Sequence, residues 1–340
     1  MFRGDPSHTG IYDTDGVTEL SGVKWRFETT ARIVSSPTVA DGAVYFGSHD
    51  FHFYAVDAAT GQEKWKFKTD AQIWSSPAIA NGVVYFGGTD SHLYALNSSD
   101  GSEVWRFQTE NKVNSSPTIS EGVAYIGSYD THMYAVDITD GTEIWRFKTE
   151  RRIHSSAAVA DGSVYFGSDD GYIYALDAKT GQENWKFEVG VGLPSSPAVA
   201  DGVVYFGGSL FLYALNASTG EEKWKLQTGS RVESSPAVSG GTAYIGSADG
   251  HLYAADTETG EEKWKFKADA RVDTSVDSSA AVSGDTVYFG ARDRFVYALD
   301  AETGEQRWSF ETEGFVESSP TVADGVVYIG SNDGSVYALE

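Results

Sequence analysis

Ser35-Ser36-Pro37-Thr38-Val39-Ala40-Asp41-Gly42-Ala43-Val44-Tyr45-Phe46-Gly47 begins a unit that returns along the whole chain and decides the fold. Residues 35–40 read as a short strand A. Asp41-Gly42 reads as a two-residue hairpin turn, because both central positions of a type I′ turn need positive φ. Ala43 to Gly47 is an apolar, aromatic strand B. Ser48-His49-Asp50 turns the chain again, His52 to Asp57 forms strand C, and Ala59-Thr60-Gly61 leads into strand D with Trp65 and Phe67. Turns every 8–12 residues around period-two apolar segments predict a four-stranded antiparallel meander.

Tryptophan marks the repeat at Trp25, Trp65, Trp105, Trp145, Trp185, Trp224, Trp264 and Trp308, with gaps of 40, 40, 40, 40, 39, 40 and 44 residues. Such a sheet is apolar on both faces and cannot stand alone. Radial stacking buries both faces and predicts an all-β, eight-bladed propeller. A helical repeat is excluded by the period of two, and a parallel β-helix is disfavoured by the hairpin chemistry. The ends suggest how the ring closes. Val23 to Phe27 is an orphan strand D, and the chain stops after strand C of the last unit at Glu340. The orphan is expected to complete the last blade and leave no radial edge. This predicts one domain over 1–340, with a lead-in at 1–21, a closing strand at 22–28 and blades over 33–340.

The phrase Ala55-Val56-Asp57-Ala58-Ala59-Thr60-Gly61-Gln62-Glu63-Lys64-Trp65 resembles the tryptophan-docking motif of the pyrroloquinoline quinone (PQQ)-like propellers, which include BamB-type assembly proteins and quinoprotein dehydrogenases. The likeness extends over the whole chain. Phe2-Arg3-Gly4-Asp5 through Thr9-Gly10 is similar to the lead-in of BamB-like members. The resemblance implies that the eight repeated tryptophans dock structurally on neighbouring blades. It also implies that the D–A and B–C connections lie on the face that carries function.

Composition narrows the chemistry. Hydrophobic residues make up 41% and aromatics 14%, enough for a large core. With no cysteine, disulfides, thiol catalysis and cysteine-bound metals are excluded. No apolar run is long enough to span a bilayer, and the first residues carry no apolar signal segment. The compartment is not fixed by this; a periplasmic or extracellular place is favoured. A net charge of −24, from 49 acidic against 25 basic residues, repels nucleic acid and anionic lipid. The excess is spread over every repeat, as in a protein adapted to salt. A monomer is expected.

Standard catalytic signatures are missing: there is no G-x-S-x-G, H-E-x-x-H or P-loop. Gly190-Val191-Gly192 imitates a dinucleotide fingerprint but lacks the third glycine and the helix. His52, His92, His132 and His251 share one repeat position, each two residues after a turn aspartate. Sheets packed ~10 Å apart put such histidines roughly 16 Å from one another. That is too far for a shared metal, so local Asp–His hydrogen bonding is expected.

The sharper signal comes from comparing the eight copies. The residue just before Ser-Ser changes freely: Val34, Trp74, Asn114, His154, Pro194, Glu233, Asp277, Glu317. Two positions earlier stand Arg32, Gln72, Lys112, Arg152, Gly192, Arg231, Arg271 and Phe315. These D–A connections enter the innermost strand and are expected to ring the channel mouth. Trp74, Asn114, Arg152, His154, Arg231, Glu233, Asp277 and Glu317 are the candidate ligand-binding residues, a polar pocket with one aromatic wall. Blade seven has four extra residues around Thr274-Ser275-Val276-Asp277, and blades four and seven carry Ala157 and Ala280 in place of proline. Blade five shortens its B–C turn to Gly208-Ser209-Leu210-Phe211, loses the turn aspartate and puts an apolar spot on the rim.

Three readings follow. The first is a non-enzymatic scaffold or binding protein that engages a protein or small ligand at the top face. The second, from the resemblance, is a quinoprotein-like dehydrogenase binding PQQ and Ca²⁺. No quinoprotein active-site motif matches residue by residue, and the vicinal cysteines of many such enzymes are absent. The third is a consensus-like repeat protein without a ligand.

Overall fold

The computed structural model describes residues 4–268 and 274–340. Eight four-stranded antiparallel sheets form the blades. In blade one, strands A to D are Thr38–Ala40, Ala43–Gly47, His52–Asp57 and Glu63–Lys68. Asp41 and Gly42 have φ of 49° and 69°, as the hairpin requires. Blade eight joins the two ends of the chain. Val23–Glu28 pairs antiparallel with Ser335–Leu339, with Val23 opposite Leu339 and Phe27 opposite Val336. The closing interface packs like the others. Trp25, Ile33, Phe46 and Tyr54 meet Tyr328, Val336 and Ala338 in one buried cluster.

Strand A is shorter than its sequence phrase, covering three residues instead of six. Ser-Ser-Pro bonds elsewhere. Ser35 Oγ accepts from Gly47 N–H and ties strand A to strand B. Ser36 N–H donates to Ser76 Oγ of the next blade at 2.9 Å, and Pro37 has no N–H to give. The second serine repeats this contact around the axis. The chain of donors runs Ser76 to Ser116, Ser156, Ser196, Ser235, Ser279 and Ser319, and Ser319 returns to Ser36 at 2.8 Å. Every blade is thus hydrogen-bonded to the next by a buried side chain.

At the periphery the repeated tryptophans also reach the next blade. Trp65 Nε1–H and the Tyr45 hydroxyl both donate to the Ser98 carbonyl, at 3.0 and 3.1 Å. Blade eight has no C–D turn, since its strand D comes from the other end of the chain. The lead-in fills the gap, and Val17 O accepts from Trp308 Nε1 at 2.7 Å and from the Tyr288 hydroxyl at 3.1 Å.

The described part of the lead-in then occupies the channel, which the sequence did not suggest. The inner edge of each sheet leaves N–H groups facing the axis. Pro6, Ser7, Thr9 and Gly10 offer carbonyls to Val159, Val199, Val238 and Val282, the central strand A residues of blades four to seven, at 2.7–2.8 Å. His8 is fully buried, with Nε2 2.9 Å from Thr118 Oγ1 of blade three.

Candidate functional site

A buried apolar residue anchors each D–A connection and thereby aims its neighbours. Ile33, Ile73, Val113, Ile153, Leu193, Val232, Val276 and Val316 are at most 2% exposed. Ile73 fills the space over Gly47 of the preceding blade, where an added Cβ would lie 2.2 Å from Ile73 Cγ2. Residues on either side of this anchor therefore face the mouth or the rim. The B–C connection is bound to the D–A connection of its own blade, with His49 N–H donating to Arg32 O at 3.1 Å. In blade seven the matching bond runs from Arg292 N–H to Ser275 O. Ser275 therefore takes the register that the sequence spacing gave to Arg271, which lies outside the described residues.

A cavity of about 660 Å³ opens at the mouth. Seven copies of the residue before Ser-Ser line it: Val34, Trp74, His154, Pro194, Glu233, Asp277 and Glu317. Arg152 lines it as well. Asn114 stands behind, its Nδ2 donating to the Tyr129 hydroxyl at 3.2 Å. Arg231 lies in a neighbouring notch of about 270 Å³ with Val191, Ser209 and Leu210. The shortened Ser209-Leu210 turn of blade five forms one wall of that notch. The notch shares Gly192, Pro194 and Glu233 with the larger cavity.

The B–C connections supply partners that the sequence reading missed: His49, Tyr129, Asp169 and Arg292. They divide the mouth into two arcs. Across blades one to four the wall is aromatic and basic. Arg32 Nε donates to His49 Nδ1 at 2.8 Å, the His49 and Trp74 rings are 4.6 Å apart, and Arg32 lies over Trp74. Arg152 lies over the Tyr129 ring at 4.9 Å and pairs with Asp169. Across blades six to eight the wall is acidic. Arg292 bridges Asp277 at 2.8 Å and Glu317 at 2.6 Å, Asn332 donates to Glu317, and Glu233 pairs with Arg231 at 2.8 Å.

Burial, then the charge of Arg32, pushes His49 down to about 4. It is therefore neutral, with its proton on Nε2, since Nδ1 accepts from Arg32. Burial likewise lowers His154. Burial raises Asp277; Arg292 opposes this, while Glu233 and Glu317 add to it by repulsion. Three of the turn histidines make the expected local bond, for example His132 Nδ1 at 3.1 Å from Asp130 O, whereas His92 Nδ1 stands 3.5 Å from Asp90 Oδ1 and is not hydrogen-bonded to it. The turn aspartates also accept from tyrosine hydroxyls, Tyr134 to Asp130 at 2.9 Å.

The residues at the mouth do not fit the calcium of a quinoprotein site. Among the described residues no three His, Asp or Glu side chains form a metal-ligand set. Asp277 and Glu317 already share a guanidinium, which supplies the positive charge a calcium ion would bring.

Comparison with known proteins agrees with the architecture. A family model described as "Outer membrane protein assembly factor BamB" matches residues 13–75, 54–186, 133–209, 169–294 and 270–340. No curated protein sequence matches the chain. Among solved structures, BamB from Moraxella catarrhalis is 19% identical with a TM-score of 0.81, over 94% of this chain and 99% of that one. The computationally designed Ika8 protein is 18% identical with a TM-score of 0.82, over 92% and 96%. Quinohemoprotein alcohol dehydrogenase from Comamonas testosteroni is 16% identical with a TM-score of 0.83, over 99% and 79%. At these identities the likeness is one of fold. Among the described residues no helix is long and apolar enough to cross a membrane.

Proposed function

The chain belongs to the BamB-type, PQQ-like β-propeller repeat family, and from that premise we propose that it is a non-enzymatic binding propeller whose ligand seats in the top-face cup. The observation that supports this most is a contrast between adjacent positions. The serine ring is the same in all eight blades, whereas seven different side-chain types stand two residues before it, and six of those types converge on one cavity. Exposed turn residues diverge elsewhere in the repeat as well, but at the mouth the divergent side chains meet around one cavity. The cup's volume lies within the roughly 300–1,000 Å³ of small-molecule sites. The lead-in lies along the inner strands beneath it, so the ligand enters and leaves at the top. The reading includes a place outside the cytoplasm and a monomeric state.

Two measurements test this. Titration with PQQ, with and without Ca²⁺, followed by tryptophan fluorescence and calorimetry, is expected to show no saturable binding at micromolar quinone. Saturable binding would restore the dehydrogenase reading. A thermal-shift screen of small molecules and peptides is expected to give ligands whose effect disappears in Trp74→Ala and persists in Asn81→Ala, in an A–B turn on the opposite face. Ligands that ignore Trp74 would place the binding surface elsewhere.

A further inference from the structure

The two arcs differ in charge as well as in shape. On the basic side Arg151 and Arg152 face the cavity with one carboxylate, Asp169, and that carboxylate is paired with Arg152. Among the described residues Arg151 has no ion pair. On the acidic side Glu233, Asp277 and Glu317 line the cup with one guanidinium, Arg292, which bridges Asp277 and Glu317 but not Glu233. Arg231 reaches Glu233 from the rim, but its side chain is 67% exposed and such pairs contribute little. One wall is thus short of negative charge and the facing wall short of positive charge. On a surface of net charge −24, a wall of guanidinium groups over aromatic rings is the exceptional feature.

A simple anion that reaches Arg152 would meet three carboxylates across the cup, and a simple cation would meet two guanidiniums. A ligand with both charges relieves both walls. The side notch beside Glu233 extends the cup outward past Val191 and Leu210, with room for a chain longer than one residue.

We propose that the cup binds zwitterions with a free carboxylate and a free ammonium, short peptides above all, with the carboxylate on Arg151 and Arg152, the ammonium toward Glu233, and an apolar or aromatic side chain against Trp74 and Tyr129. This rests on reading the mouth as the binding site, and deepens it by naming the ligand class. Charge-assisted bonds at both ends give the discrimination.

The test is calorimetric titration of the full chain with Ala-Phe-Ala, N-acetyl-Ala-Phe-Ala, Ala-Phe-Ala-amide and free phenylalanine. The free tripeptide is expected to bind saturably, and each capped form roughly tenfold or more weakly. Arg152→Ala should remove the preference for the free carboxylate while keeping that for the free amine. Glu233→Gln should do the reverse. Both variants should keep the wild-type melting temperature. Phenylalanine binding as tightly as the tripeptide would keep the dipolar site and assign it to free amino acids. Equal binding of capped and uncapped peptides, or no binding of Ala-Phe-Ala at millimolar concentration, overturns the proposal. Failure here leaves the thermal-shift and quinone tests of the broader binding reading unaffected.

Discussion

The second serine of Ser-Ser and the residue two places before it occupy adjacent levels of one ring and obey opposite rules. At the serine level every blade does the same thing: a backbone N–H meets a side-chain hydroxyl of the next blade, and the sequence repeats because the geometry repeats. At the mouth no two blades supply the same pair of D–A and B–C side chains, and contacts such as Arg152 with Asp169 or Arg292 with Glu317 occur once each. Symmetry in a propeller is kept where blades hold each other, and is lost where they face something else. Equivalent substitutions at the two levels should therefore differ in what they cost.

The largest contrast should come from two tryptophans. Trp65 is 8% exposed, packs against Phe53 and donates to Ser98 O. Truncation to alanine leaves a cavity, and a loss of about 3–5 kcal/mol is expected. Trp74, half-buried at the mouth, should cost less than about 1 kcal/mol as Trp74→Ala. Urea unfolding of both variants checks this. Equal losses would make the mouth part of the scaffold and remove the ground for calling it a site.

His49 gives the next effect, through pH. Its folded-state pKa is about 4, below the unfolded value of about 6.5. The unfolded chain therefore takes up the proton first. Stability from this group is complete above about pH 6.5 and is lost as the pH falls toward 4, by up to about 3 kcal/mol. Asp277 works in the opposite sense, because its raised pKa favours the folded state as acid is added. His49→Gln should flatten the loss between pH 6.5 and 4 without altering stability at pH 8. An unchanged pH profile would mean that the Arg32–His49–Trp74 stack is open to solvent in solution.

A smaller loss is expected at the ring. Ser76→Ala leaves the buried Ser36 N–H without its acceptor, at about 1–3 kcal/mol. Asn114→Ala loses only the partly buried bond from its Nδ2 to the Tyr129 hydroxyl and should cost less, about 1 kcal/mol or under. Melting of the two variants side by side checks the difference.

Much of this was legible in the sequence because the fold is periodic. Asp41-Gly42 foretells its turn, and the orphan strand at Val23 foretells closure against Ser335–Leu339. Half of the mouth was legible too, since divergence at one position among matched copies exposes it. The same signal was present in the B–C turns at His49, Tyr129, Asp169 and Arg292, flanked by nearly constant residues, and could have been read in the same way. What no copy-by-copy comparison shows is the pairing. Arg152 meets Asp169 of its own blade, but Arg292 reaches across to Glu317 of the next. The lead-in was illegible for a different reason: it has no repeat and no period, and its carbonyls find partners from Val159 to Val282.

The smallest effect concerns charge outside both levels. The serine ring is neutral and buried, so the net charge of −24 lies on the outer surface, where acids outnumber bases 49 to 25. Local pairs such as Glu63 with Lys66 at 3.3 Å are exposed and offset little of the repulsion. With a Debye length of ~10 Å at 0.1 M and ~3 Å at 1 M, added salt should screen the repulsion faster than it weakens these pairs. The melting temperature should therefore rise by a few degrees, roughly 1 kcal/mol, between 0.05 and 2 M KCl. The rise should be the same in Ser76→Ala, because no charge touches that ring, and the same with tetramethylammonium chloride, because screening needs no particular cation. A flat profile would detach the acidic surface from stability, and a rise confined to one cation would mean bound ions in place of screening.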